Sequence, residues 1–222
     1  MIKIYPSILT DSVEVLQKEA TSIQSSKLFN ILQIDVVDGI YADNFTLAPV
    51  SVLDLNLPAK WQLDFHLMVE EPMDYLIEIF DHPKKGSVRA LIAQIEKMSH
   101  QVDYLEEVKK HGFKAGLSLD LYTPIQEIEE DAWDSLDIIQ VMGIEAGFQG
   151  QKFSDTALKK IETLKLILAT RKQQIELVVD GGVKIANLAA IIKAGADGVT
   201  VGSQLWQSDN PNKILEQMSG DI

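Results

Sequence analysis

Short apolar, β-rich runs recur along the chain at intervals of roughly 25 to 30 residues, with helical periodicity between them. They predict strands at 3–6, 32–37, 63–69, 90–96, 115–119, 138–142, 176–180 and 198–201. Eight strands alternating with helical segments is the count of a (β/α)8 barrel, so an α/β TIM barrel is the expected fold class. Segment 154–171 carries Leu158, Ile161, Leu164, Leu166 and Ile167 as a stripe that would face the barrel. Segment 185–194 is rich in Ala and Ile and closes at Gly195, a C′ glycine. Pro72 is placed at the first position of the third helix, and Pro124 plays the same part after Thr123. No linker, low-complexity tract or repeat beyond the βα unit interrupts the pattern, so 1–222 reads as one domain. An open doubly wound sheet is disfavoured, because the first strand leads into Ser7-Ile8-Leu9-Thr10 rather than a G-x-G-x-x-G turn.

Composition narrows the chemistry. The chain has 222 residues, 46% of them hydrophobic, enough for a full core. Its formal charge of −13, from 20 basic and 33 acidic residues, argues against nucleic acid or an anionic membrane as partner. An anionic substrate then needs a local site of backbone amides, helix dipoles or a metal. Cysteine is absent, which removes thiolate nucleophiles and Cys-ligated metals. The start, Met1-Ile2-Lys3-Ile4-Tyr5-Pro6, lacks a signal-peptide core, and no apolar run approaches the ~20 residues of a membrane span. A soluble cytoplasmic protein is the expectation.

The sharpest local pattern is Val178-Val179-Asp180-Gly181-Gly182 followed by Val201-Gly202-Ser203. Strand ends of this kind deliver bare backbone N–H groups to a phosphate and set one carboxylate, Asp180, beside it. The other polar residues near the strand ends are Ser7, Gln33, Asp35, Asp38, His66, Gln94 and Ser203. Gln33 and Asp35 alternate with apolar neighbours, share one face and would point into the barrel mouth, with His66 placed likewise on the next strand. Two inward acids, Asp35 and Asp180, suit proton removal from one face of a carbon acid and return to the other. Asp35, His66 and Asp180 also supply part of a divalent-metal site beside an enediolate.

Blander readings exist for each residue alone. His66 by itself is a satisfied core histidine, Asp35–Gly39 a turn or cap, and Gly181-Gly182 a tight turn. The joint pattern of acid, histidine, acid and two glycine-rich ends outweighs them. His82, His100 and His111 read as solvated, and the acid run 127–131 as an exposed helix face.

Six segments together resemble the ribulose-phosphate 3-epimerase family nearly end to end. They are Pro6-Ser7-Ile8-Leu9, Ile34-Asp35-Val36-Val37-Asp38-Gly39, Phe65-His66-Leu67-Met68-Val69, Gly147-Phe148-Gln149-Gly150-Gln151-Lys152-Phe153, Val179-Asp180-Gly181-Gly182-Val183 and Val201-Gly202-Ser203. The resemblance implies a barrel that interconverts D-ribulose 5-phosphate and D-xylulose 5-phosphate through a cis-enediolate. It implies Asp35 as proton acceptor, Asp180 as donor, and Ser7 and His66 as substrate contacts. Phosphate would rest on Gly147, Phe148, Gln149 and Gly150, on Gly181-Gly182 and on Gly202-Ser203. Met68 and Met142 would wall off water. It further implies a metal (Zn, Fe or Mn) on Asp35, His66 and Asp180, a cytoplasmic pentose-phosphate role and a homo-oligomer, dimer or hexamer.

The departures from that family gather at the metal and the phosphate. Gln33 stands where the family has a metal-binding His, and an amide oxygen is the weaker ligand. Gln94 also replaces a His. Glu145-Ala146 replaces Asn-Pro, Gln149 replaces a glycine of the phosphate loop, and Val37 replaces a Met. Two readings follow: an epimerase with a changed metal or ketose phosphate, or a sugar-phosphate-binding paralogue with an impaired metal site and little turnover. A decarboxylase or aldolase of the same superfamily is disfavoured, because Asp35-Val36-Val37-Asp38 has no lysine between its acids. In segment 40–49, Tyr41, Asp43 and Asn44 are the candidates for shaping specificity at the mouth.

Overall fold

The computed structural model describes residues 2–26, 29–148 and 150–220. Its eight strands are β1 (Lys3–Ile8), β2 (Ile31–Val37), β3 (Gln62–Met68), β4 (Val88–Gln94), β5 (Lys114–Leu119), β6 (Ile138–Met142), β7 (Glu176–Asp180) and β8 (Gly198–Val201). Every neighbouring pair is parallel, and β8 closes on β1, so the sheet is a barrel with no free edge. The helices are α1 (Val13–Ser22), α2 (Pro49–Asp54), α3 (Leu76–Asp81), α4 (Gln101–Lys110), α5 (Asp155–Ala169), α6 (Ile185–Ala194), α7 (Ser203–Trp206) and α8 (Pro211–Gly220).

The expected strands are all present, and most differences are of one to two residues at the ends. The strands read as apolar runs because both faces are covered, outward by helices and inward by the opposite wall. Two helix boundaries follow from local chemistry. Ser154 caps α5 by accepting from Thr156 N at 3.3 Å. Gly195 ends α6 at φ +112°, in the left-handed region where a Cβ is disfavoured.

Five expectations need correction. Leu166 is 72% exposed, because it falls on the solvent side of α5 while Ala157, Ile161 and Leu164 face the core. Pro72 opens a 3-10 turn, Pro72–Tyr75, and α3 begins only at Leu76. Pro124 precedes a 3-10 turn at Ile125–Glu127 rather than starting a helix, and a second turn spans Glu130–Ser135. Glu127, Glu130 and Asp131 would be i, i+3 and i+4 neighbours on an α-helix, where like charges repel; these acids are exposed and lie in 3-10 turns, not on an α-helix. His82 is buried, with Nε2 3.2 Å from Asp54 Oδ1. His111 is exposed, as expected, and one face of its ring stacks on Phe80, with centroids 3.8 Å apart.

Inward side chains form layers along the barrel axis. At the N-terminal end, Asp64 pairs with Arg89, Tyr5 donates to Glu176, and Arg89 Nη1 lies 3.9 Å from Glu176 Oε2. Lys3 adds an outer contact to Glu176 at 3.1 Å. Above this lies an apolar layer of Tyr5, Ala90, Ile92, Ile138 and Val178. Burial pushes the Asp64 carboxyl up, and Arg89 opposes that shift. Replacing Arg89 by Met would leave buried Asp64 without its cation and Glu176 with only the outer cation Lys3, at a cost of about 3–5 kcal/mol. The expected outcome is a large fall in the urea midpoint, with Arg89→Lys losing less. A change under about 0.5 kcal/mol would show that the pair carries no net stability.

Candidate active site

The upper inward layer brings together residues distant in sequence. Strand pairing sets Ser7 beside Gln33 and Asp35 beside His66, while β6–β7 pairing sets Met142 beside Asp180. Alternation along each strand then points Gln33, Asp35, His66, Gln94, Gln140, Asp180 and Thr200 into the barrel, all of them buried. Buried polar groups must find partners. Gln33 Nε2 donates to Asp35 Oδ1 and to Asp180 Oδ2, both at 2.7 Å. Gln140 Nε2 donates to Asp180 Oδ2 at 3.0 Å, and Thr200 Oγ1 donates to Gln33 Oε1 at 3.1 Å.

His66 has no exposed surface. Its Nδ1 lies 3.2 Å from Asp180 Oδ2 and 3.4 Å from Asp35 Oδ1, yet is directed at neither well enough for a full hydrogen bond. Burial alone would lower the His66 pKa, but the contacts with Asp180 and Asp35 outweigh it and raise it to about 9. Burial pushes the Asp35 carboxyl up, the charge of Asp180 adds to that, and His66 and Gln33 oppose it. On the far side of the ring, both ends of the Gln94 amide are satisfied when its oxygen faces His66 Nε2, at 3.3 Å. Its nitrogen donates to Ser118 O at 3.0 Å and to Glu96 Oε2 at 2.9 Å.

That arrangement bears on metal binding. With Nε2–H held by Gln94, Nδ1 is the ring nitrogen that would ligate a cation once its own proton is displaced, and the three groups offer ligand atoms within 4.8 Å of one another. Such a set fits a divalent cation, with imidazole and carboxylate donors suited to zinc, iron or manganese. Gln33 does not belong to it as oriented, because the amide presents N–H donors rather than its oxygen.

The mouth is glycine-lined. Gly181 (φ +88°) and Gly182 (φ +69°) follow β7, and a Cβ on Gly182 would lie 2.8 Å from Phe153 N. A cavity of about 40 Å³ is bounded by Ser7, Asp35, His66, Asp180, these glycines, Gly147, Phe148, Gly150, Gly202 and Ser203, with Met68, Met142 and Ile144 as its apolar side. Gln149, expected on the phosphate loop, lies outside the described residues. Asn44 Nδ2 donates to Gly147 O at 2.7 Å and Tyr41 OH donates to Glu96 Oε2 at 3.0 Å, so segment 40–49 does reach the rim; Asp43 is exposed there.

Asp38, grouped with the strand-end residues, is a turn anchor. Its carboxylate accepts from the N–H groups of Ile40 and Tyr41, each at 2.8 Å, and of Glu70 at 2.7 Å. Burial would raise its pKa, but these backbone bonds hold it below the usual carboxylate range. Gln140 and Thr200 escaped the sequence reading. A glutamine interrupting Ile138-Ile139-Gln140-Val141 was the available signal for one. Thr200 carries none, since threonine is common in strands.

The fold and site together define a (β/α)8-barrel protein with a buried acid pair at the C-terminal mouth. The model of the ribulose-phosphate 3 epimerase family matches residues 3–206. The ribulose-phosphate 3-epimerase of Bacillus subtilis (strain 168) is 33% identical over 221 residues, covering 99% of both chains. That of Escherichia coli (strain K12) is 30% identical, covering 99% of this chain and 95% of its own. This chain therefore belongs to the ribulose-phosphate 3-epimerase family, a family of isomerases. Solved structures share the fold at low identity. A 3-hexulose-6-phosphate synthase has a TM-score of 0.65 at 14% identity with both chains fully covered. The thiamine phosphate pyrophosphorylase of Pyrococcus furiosus has 0.55 at 17%, covering 98% of this chain and 94% of its own. Among the described residues no helix is long and apolar enough to cross a membrane.

Gln94→Leu removes the amide that holds the Nε2 side of His66, leaving a buried donor without its acceptor at a cost of about 1–3 kcal/mol. The expected readout is a lowered melting temperature together with a changed His66 ring-nitrogen NMR pattern. An unchanged ring spectrum would mean that Gln94 does not hold the Nε2 side of His66.

Proposed function

We propose that the chain is a sugar-phosphate 3-epimerase acting on D-ribulose 5-phosphate and D-xylulose 5-phosphate. The observation that carries this reading is the convergence of Asp35 from β2 and Asp180 from β7 on one buried cluster beside a glycine-lined cavity. Asp35 takes the C3 proton from one face of the ketose, and electron density moves to the C2 oxygen to give a cis-enediolate. Asp180 delivers a proton to the opposite face, inverting C3, and the roles exchange in the reverse direction. His66 and Ser7 contact the sugar oxygens. Met68 and Met142 keep water from the planar intermediate. A divalent ion on Asp35, His66 and Asp180 would supply Lewis-acid stabilisation of the oxygens when bound.

Phosphate would rest on backbone N–H groups of Gly147, Phe148 and Gly150, of Gly181-Gly182 and of Gly202-Ser203, with Gln149 on the same loop. No lysine or arginine lines the cavity among the described residues, which makes the backbone the natural anion partner in a chain of charge −13. Residues 1–222 are taken as one domain and the protein as a cytoplasmic homo-oligomer, dimer or hexamer. The sugar-phosphate-binding paralogue with an impaired metal site is kept as a second reading, because Gln33 turns donors rather than a ligand toward the acids.

The test is C3 deuterium incorporation from D₂O into D-ribulose 5-phosphate, followed by NMR, on chelated protein and after adding Zn²⁺, Mn²⁺ or Fe²⁺. Exchange with appearance of xylulose 5-phosphate is expected. Binding without exchange under every condition would favour the paralogue. Asp35→Asn and Asp180→Asn should each lower exchange by about 10²–10⁴-fold with the fold retained. Near-wild-type turnover in either would sink the two-acid assignment. Gly182→Ala should raise KM for the phosphorylated ketose by roughly 10-fold or more, since its Cβ meets Phe153 in a backbone conformation that L side chains avoid.

A further inference from the structure

Apart from Gln94, which holds His66, the buried polar groups in this layer to which the two-acid chemistry gives no task are Gln33, Gln140 and Thr200. Gln33 and Thr200 are each 1% exposed and Gln140 not at all. A buried amide destabilises the fold unless its polar atoms are paired. Gln33 is paired at every point: two N–H groups on the two carboxylates and its oxygen on the Thr200 hydroxyl. It therefore spans the gap between two acids that would otherwise repel each other at close range. Gln140 adds one more donor to Asp180 and leaves its own oxygen unpartnered.

A cation held by Asp35, His66 and Asp180 would meet these same N–H groups, dipoles of the wrong sign for it. At Asp35 Oδ1 and Asp180 Oδ2 the ion and the Gln33 amide compete for the same oxygens, so binding there displaces the amide from one carboxylate or both, or turns it over at the expense of the bond from Thr200. We propose that Gln33, oriented by Thr200, is a positioning residue that holds the Asp35–Asp180 pair together in competition with a divalent cation. On this assignment Gln33 lowers metal affinity by occupying the carboxylates, and it is not a weak fourth ligand. Its consequence for turnover rests on reading Asp35 and Asp180 as the reacting acids, but the competition itself does not.

The two possibilities differ in sign. Zn²⁺ alone is titrated calorimetrically into the chelator-treated full chain and into Gln33→Leu. Competition predicts that Gln33→Leu binds Zn²⁺ about 10-fold tighter than the wild type, whereas loss of a ligand or of a supporting neighbour would weaken binding by 10–100-fold. Equal or weaker binding by Gln33→Leu overturns the proposal, including the case in which neither protein binds. A second measurement on the wild-type chain covers a variant that fails to fold. The Gln33 side-chain N–H signals should be protected from solvent exchange without metal and should shift or lose protection at saturating Zn²⁺; signals unmoved by saturation overturn the proposal. No sugar phosphate enters either experiment, so a wrong substrate assignment leaves both outcomes readable.

Discussion

Two carboxylates occupy one desolvated barrel mouth, and the polar architecture above the apolar layer follows from keeping them there. Asp35 and Asp180 come from β2 and β7, three places apart around the closed barrel, and meet at a single amide nitrogen, 2.7 Å from each. An isolated buried carboxylate is strongly disfavoured, and two side by side more so. Four surrounding groups answer that cost: the His66 ring, the Gln33 and Gln140 amides, and the Thr200 hydroxyl that orients Gln33. Closing the sheet is what makes this possible, because in a barrel the first and last strands can both contribute to one layer.

The same constraint appears at the other end of the barrel and is resolved differently. Asp64 and Glu176 are also buried acids pointing inward, but a guanidinium lies against Asp64 and near Glu176, with the Tyr5 hydroxyl and Lys3 around Glu176. That cluster has its cation built in. Among the described residues the mouth has only a histidine, whose proton is itself exchangeable, and amides that carry no charge. One end is a satisfied structural layer. The other keeps an imidazole nitrogen 3.2 and 3.4 Å from two acids without good hydrogen-bond geometry to either, the condition from which proton transfer and cation binding both draw.

Much of this was legible in the chain. Eight apolar runs placed the strands to within a few residues, because strands covered on both faces must be apolar almost throughout. Asp35, His66 and Asp180 stood out because a charged residue in such a run needs a reason to be there. The family followed from six short segments in order. Less legible were the local outcomes set by competition between neighbours. Leu166 matches the helical stripe yet faces solvent, and Glu127, Glu130 and Asp131 lie in 3-10 turns rather than on an α-helix, where their charges would stack. His82 reads as a surface residue until α2 brings Asp54 against it.

What the sequence determined by itself was periodicity, and through it the fold class, the inward face of each strand and the identity of the acids. What only the tertiary structure decided was orientation. Gln33 reads in the chain as an amide at a ligand position, and nothing local says which of its two ends faces the acids. Thr200, 167 residues away on β8, settles that by donating to the oxygen. Gln94 similarly settles the Nε2 side of His66 from the neighbouring strand. An amide's two ends are nearly equal in shape and opposite in polarity, so its role is set by partners that strand closure brings across the barrel.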